Sequence, residues 1–224
     1  MREYRYNVFT LIHKGLRGLL YNTAMRIQQS DLSRVEEGSA AIQQIEVVVL
    51  LFEKHAENED KFLLAAVVQH DTDIASNFRS GHEHDLRLAE ILRTGIDAWK
   101  RAGDDGRRSA AARNIFYAFN DFTAFNLSHM NKEEKLLNKI LWQHYRDDEI
   151  RLFEQAMTRN TPADLLLVNA KWMIRSVNDR ELIEWLTDTR QRTSPDLFQA
   201  LVNIAKSELS PKRWQFIAGN AGVG

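Results

Sequence analysis

The chain contains no cysteine, and that absence excludes more than any residue present. Disulfides, iron–sulfur clusters, thiolate zinc sites and cysteine nucleophiles are all ruled out, so any bound metal must be held by nitrogen and oxygen. Proline and glycine are scarce, at three and ten in 224 residues, and runs of β-branched residues are few. That composition predicts an all-α chain. Neither sign of charge dominates: 30 Lys and Arg stand against 31 Asp and Glu. With no basic or acidic block, nothing attracts nucleic acid or a charged membrane surface, and Arg107-Arg108 is too short for a nucleic-acid patch. No apolar run approaches the length of a membrane span, and Met1 to Tyr6 carries no apolar signal core, so the expectation is a soluble, cytoplasmic protein. Gly-rich phosphate loops, a nucleophile elbow and a Ser-His-Asp order are missing too.

What is there is a repeat. His55-Ala-Glu-Asn-Glu59-Asp-Lys-Phe-Leu63, running on to Gln69-His70, matches His129-Met-Asn-Lys-Glu133-Glu-Lys-Leu-Leu137, running on to Gln143-His144. His, Glu, Lys, Leu, Gln and His recur at identical offsets. Each copy places a His and a Glu four residues apart, one turn apart on one helix face. The neighbours on that stripe are Val48, Phe52, Phe62 and Ala66 in the first copy. In the second they are Phe122, Phe125, Leu136, Leu137 and Ile140. These are inward faces, and a carboxylate buried there twice needs a cationic partner.

Helical periodicity runs over about 4–28, 33–69, 74–101 and 107–158, broken at Ser30-Asp-Leu-Ser33, Asp71-Thr-Asp73 and Gly103-Asp-Asp-Gly106. Four long amphipathic segments with short connections predict an up-down-up-down four-helix bundle over residues 1–158. A C-terminal extension of three or four shorter helices follows over 159–224. Its starts are signalled by Thr161-Pro162-Ala-Asp164, the capping box Asn178-Asp-Arg-Glu181, Ser194-Pro195 and Ser210-Pro211. The last six residues read as frayed.

His13 and His84 complete the pattern. The midpoints of His13 and His55, of His55 and His84, and of His84 and His129 fall beside the three breaks, which puts all four His at one level of an antiparallel bundle. The expected metal ligands are therefore His13, His55, Glu59, His84, His129 and Glu133, with His82 as the substitute for His84. Four imidazoles and two carboxylates suit iron, manganese or zinc, and six ligands serve two ions only if the carboxylates bridge.

These segments carry a resemblance. His13-Lys-Gly-Leu-Arg17, His55-Ala-Glu-Asn-Glu59, Glu83-His84-Asp-Leu-Arg87 and His129-Met-Asn-Lys-Glu133-Glu134 resemble the hemerythrin-like, or HHE cation-binding, family of non-haem di-iron four-helix bundles, over roughly residues 8–155. The chain departs from oxygen-carrying hemerythrins. Position 88 is Leu where they have a second third-helix His, and Glu133 stands four residues after His129 where they have an Asp five residues on. Four His and two Glu look more like the repair-of-iron-centres branch, whose cysteine-bearing N-terminal domain is not present here. The resemblance implies two carboxylate-bridged iron ions that bind or sense dioxygen, nitric oxide or peroxide, or handle iron under oxidative or nitrosative stress. Two alternatives remain open: a di-iron enzyme reducing those molecules, and a metal-stapled interaction protein. The C-terminal helices offer a surface for a protein partner or a homodimer.

Other residues have plainer readings. His70 and His144, about 16 Å beyond the Glu pair, read as end-of-bundle residues bonded to water or to Asp71 and Asp147, with a second polar layer or weak metal site as the alternative. Tyr21 and Tyr117 read as core aromatics, or else as phenols approaching the metals. Glu57 and Asp60 read as solvated.

Overall fold

The computed structural model describes residues 5–223, and every regular element among them is helical. In chain order these are α1 (Thr10–Gln29), α2 (Val35–Asn58), a π turn (Glu59–Leu63), α3 (Leu64–Val67), α4 (Thr72–Arg101), α5 (Asp105–Lys132), a second π turn (Glu133–Leu137), α6 (Asn138–His144), α7 (Asp147–Asn160), α8 (Ala163–Ser176), α9 (Asp179–Arg192), α10 (Pro195–Glu208) and α11 (Pro211–Ala221). None of these helices is long and apolar enough to cross a membrane. The contacts divide the chain into two units. Among the described residues the larger comprises 5–8 and 20–160, the smaller 9–19 and 161–223, so the dividing line falls inside α1 as well as after Asn160.

In the larger unit, sequence punctuation starts the helices. The Asp71 carboxylate accepts the Ile74 N–H at 2.9 Å and begins α4, and Asp104 accepts the Arg107 N–H at 2.8 Å and begins α5. Each such cap contributes about 1 kcal/mol. Side-chain pairs fix direction and register. Gly81 lies against His129, Gly95 against Ile115, and Asn126 bonds Asp85, all centred near residue 105, so α4 and α5 are antiparallel. Glu53 with Arg93 and Glu46 with Lys100 are both centred on residue 73 and set α2 antiparallel to α4. The apolar interior includes Ile42, Ile45, Phe52, Phe119 and Phe122.

The helix expected over 107–158 is interrupted. The guanidinium of Arg5 donates to the carbonyls of Trp142 and Tyr145 at 2.8 and 2.6 Å and to Asp147 at 2.6 Å. These bonds satisfy the orphan carbonyls at the end of α6, Tyr145 turns extended, and α7 begins two residues later. The first helix begins at Thr10 rather than about residue 4, and Tyr4 itself lies outside the described residues.

In the smaller unit the N-caps fall at Pro162, Asn178, Ser194 and Ser210, each sixteen residues after the last. The Asn178–Glu181 capping box and the two Ser-Pro openings form as expected, whereas Pro162 takes the cap position itself and Ala163 opens α8. α8 packs on α10 and α9 on α11, the stacking of a helical repeat. Ile174, Leu182, Leu186, Ala205 and Ile217 form its core. The expected fraying stops short. Gly222, at φ 66°, closes α11 in the left-handed conformation that glycine adopts freely, and Val223 is buried in the same core. The start of α1 belongs to this unit. A Cβ on Gly15 would meet the Met173 backbone nitrogen at 3.0 Å, and backbone yields little. Gly15→Val is expected to cost about 1–3 kcal/mol, read as a lowered midpoint in urea, with Gly103→Val, which meets nothing, as the control.

Candidate metal centre

The two copies of the repeat fold alike. Each His-x-x-x-Glu straddles the junction between an α-helix and a π turn, with Glu59 and Glu133 opening the turns. The Leu64 N–H bonds the Glu59 carbonyl, and the Asn138 N–H bonds the Glu133 carbonyl, five residues back in each case. Such single π turns accommodate one extra residue and recur at functional sites. Here they place the residue five after each Glu on the Glu's own face. Leu64 and Asn138 are fully buried, and Leu136, expected inside, turns out with 43% of its surface exposed.

Glu59 is 1% exposed and Glu133 0%. His82, at 3%, stands between them: its Nε2 is 3.3 Å from Glu59 Oε2 and 3.3 Å from Glu133 Oε1. His55 Nε2 is 3.2 Å from Glu59 Oε1, and His129 Nε2 is 2.8 Å from Glu133 Oε1. That last nitrogen lies off the direction of a hydrogen bond, an arrangement that suits a shared cation better than a proton. One ligating atom from each of His82, His129 and Glu133 lies within 4.8 Å of the others, and the same holds for His55, Glu59 and Glu133. The nitrogen and oxygen donors, the burial and the spacing fit a metal ion.

His82 is the electrostatic centre. Its Nδ1 lies 2.9 Å from Asp60 Oδ1, so Nδ1–H donates outward and Nε2 faces the two glutamates. Such a carboxylate behind a ligating His fixes its tautomer and ring orientation. Nε2 then needs a second proton or a metal. Burial works to lower the His82 pKa, but its hydrogen bonds to the Asp60, Glu133 and Glu59 carboxylates outweigh that and raise it to about 12. Behind His82 lies Asp85, buried and accepting from Asn126 Nδ2 at 2.5 Å; burial raises its pKa to about 6 against the lowering effect of that hydrogen bond.

The structure corrects the choice on α4. His82, not His84, joins the carboxylates; His84 is exposed and meets the Phe125 ring edge-on at 4.7 Å. The buried stripe of α4 runs Phe78, His82, Asp85, Ala89, Leu92, Ile96 and Trp99, at alternating steps of four and three. Residue 84 is about 200° round the helix from residue 82. The periodicity of that stripe was the signal available in the sequence. His55, Glu59, His129 and Glu133 are brought together as expected. His13 is fully buried on α1, its ring 5.1 Å from that of Phe9, in the segment belonging to the smaller unit.

Other expectations change as well. Asp60 is not solvated but holds His82. Glu57 is solvent-exposed as expected, paired with Lys54 at 2.8 Å. His70 and His144 stack on each other, centroids 3.8 Å apart, and His70 bonds the Tyr145 hydroxyl, while Asp71 caps α4 and Asp147 holds Arg5. Tyr21 and Tyr117 are exposed rather than core.

Gly81 lets His129 lie where it does: a Cβ there would stand 2.6 Å from His129 Cε1. Gly81→Ala is expected to displace the imidazole and weaken metal binding by about 10-fold or more, measured by competition with a chromophoric chelator, while the circular dichroism of the helices is unchanged.

Compared with known proteins, the chain finds no matching family model, curated protein or solved structure.

Proposed function

We propose that the larger unit is a hemerythrin-like four-helix bundle holding two iron ions at the paired glutamates, and that the protein binds or senses a small molecule there. The observation that carries this reading is the placement of two buried carboxylates on one imidazole nitrogen, each backed by a second His one turn away on its own helix. Without a cation, such a cluster forces protonation of His82 and costs several kcal/mol in desolvation. The proposed ligands are His55, Glu59, His82, His129 and Glu133, with Asp60 orienting His82; His13 joins them on the sequence pattern alone. When bound, iron supplies Lewis acidity and one-electron chemistry toward dioxygen, nitric oxide or peroxide. Zinc or manganese also suits the donors, which is why the metal must be identified directly.

The deciding experiment is elemental analysis of untagged protein purified without added metal, with an absorption spectrum in air. About two irons per chain with charge-transfer bands support the proposal. A spectrum unchanged by oxygen and nitric oxide after reduction removes the sensing role, and a folded chain with no metal removes the whole reading.

A further inference from the structure

α1 is one unbroken helix, Thr10–Gln29, yet its first half packs as a member of the smaller unit. Leu11 packs on the apolar core of that unit. Lys14 Nζ donates to Glu181 Oε1 at 2.5 Å, and Glu181 is itself fixed by the capping box that opens α9. Gly15 lies against the Met173 backbone on α8, and a Cβ on Gly18 would run into the Ser176 hydroxyl. Both contacts advance by three residues on each helix, so α1 and α8 run parallel. Residues 11, 14, 15 and 18 share one helix face. Two glycines and an ion pair seat that face directly on α8 and α9.

His13 stands on the other side of α1. Two residues from both Leu11 and Gly15, it is roughly 200° round the helix from each. It shares its side with Leu16 and Leu20, and all three are fully buried. It is also the fourth residue of the helix. The first turn is where a helix opens most readily, because its N–H groups have no partner within the helix. This one has no acidic residue to favour it, and Lys14 follows it with an unfavourable charge that Glu181 offsets. A ligating imidazole must be held to within about 0.5 Å of its working position. The close seat on α8 and α9 supplies a rigidity that the start of a helix lacks.

Resting on the metal reading above, and on the place of His13 among the ligands, we propose that the smaller unit is a clamp for the ligand on α1. α8 and α9 hold the turn that carries His13, with Lys14, Gly15 and Glu181 as positioning residues. None of the three supplies a ligand atom. They act through His13, and the C-terminal helices thereby set how tightly the metal is held.

The test is Gly15→Ala, with zinc as the probe metal and a chromophoric chelator as competitor. The added Cβ meets the Met173 nitrogen and Cγ at 3.0 Å, so α1 must shift on α8 by a few tenths of an ångström. Alanine favours a helix over glycine, which offsets the strain, so the urea midpoint of the metal-free protein is expected to stay close to that of the wild type. Zinc affinity is expected to fall about 10-fold. His13→Ala is expected to lower it by as much or more. Adding Gly15→Ala to His13→Ala is expected to change it by less than about twofold, because the clamp then has no ligand to place. Glu181→Gln keeps the capping box but gives up the ion pair, and is expected to weaken zinc binding about two- to threefold, again only where His13 is present. Gly219→Ala, which meets nothing, is the control and should bind as the wild type does. Unchanged zinc affinity in Gly15→Ala overturns the proposal. So does an equal loss with and without His13, which makes the contact merely structural. Wild-type affinity in His13→Ala removes His13 from the ligands and the proposal with it. Wild-type protein that takes up no metal instead overturns the reading beneath, and metal analysis of the wild type tells these failures apart.

Discussion

Glu133→Ala is expected to abolish metal loading of its side of the centre, lowering the two ions per chain proposed above to one or none. Glu133 is the only side chain common to both three-residue groups, touching His82 at 3.3 Å and His129 at 2.8 Å. The thermal signature should be as large. A metal present at about a thousand times its dissociation constant stabilises a fold by about 4 kcal/mol, or about 8–16 °C in a chain of this size. Wild-type protein is therefore expected to lose about that much when treated with chelator, and Glu133→Ala to lose clearly less, in proportion to the metal it retains. Glu83→Ala, an exposed neighbour of the α4 ligand, serves as the control and should behave as wild type. A Glu133→Ala protein with full metal content and an undiminished chelator effect would exclude the glutamate pair as the metal site.

The second large effect is on pH. In the metal-free protein His82 holds two protons, with a pKa of about 12 in the fold and about 6.5 in the unfolded chain. A pKa raised by folding gives stability that is complete below the unfolded value and is lost as pH rises through the folded one. The metal-free chain should therefore weaken steadily above pH 6.5. Asp85 acts in the same direction lower down, its stability contribution fading as pH rises through about 6. Metal takes the place of the second His82 proton, so affinity should climb over the window in which the empty fold weakens, and loading near neutrality should release protons. Denaturant melts at pH 6, 7.5 and 9, with and without metal, test the first part. Calorimetry in two buffers of different ionisation enthalpy tests the second. Metal-free stability that stays flat or rises between pH 7 and 9 would show that His82 does not carry the compensating charge.

Much of this molecule is legible in one dimension. The helical class follows from composition and periodicity. The cap residues Asp71, Asp104, Asn178, Ser194 and Ser210 mark helix starts because a short side-chain acceptor meets a local N–H. His55, Glu59, His129 and Glu133 were found because a spacing of four on an apolar stripe is itself a statement about geometry. These are interactions between residues within a turn or so of each other, and sequence records them directly.

The remainder was decided between helices. Residues 82 and 84 are both histidines with an acidic neighbour; the stripe of four-and-three steps on α4 favours the first, and the packing of α4 on α5, with Gly81 against His129, seats it between the two glutamates. The π turns carry no residue signature, yet they choose which of Leu136 and Asn138 enters the core. Asp60, read as solvated from its place beside the first His-x-x-x-Glu, lies in the first π turn and finds its partner 22 residues away on α4. Between α6 and α7 there is no glycine or proline to stop a helix; the stop is Arg5, bonded to carbonyls some 140 residues along the chain. A local pattern can fix which face of a helix is apolar, but where two faces or two registers compete within a few kcal/mol, the contacts made across the core choose between them.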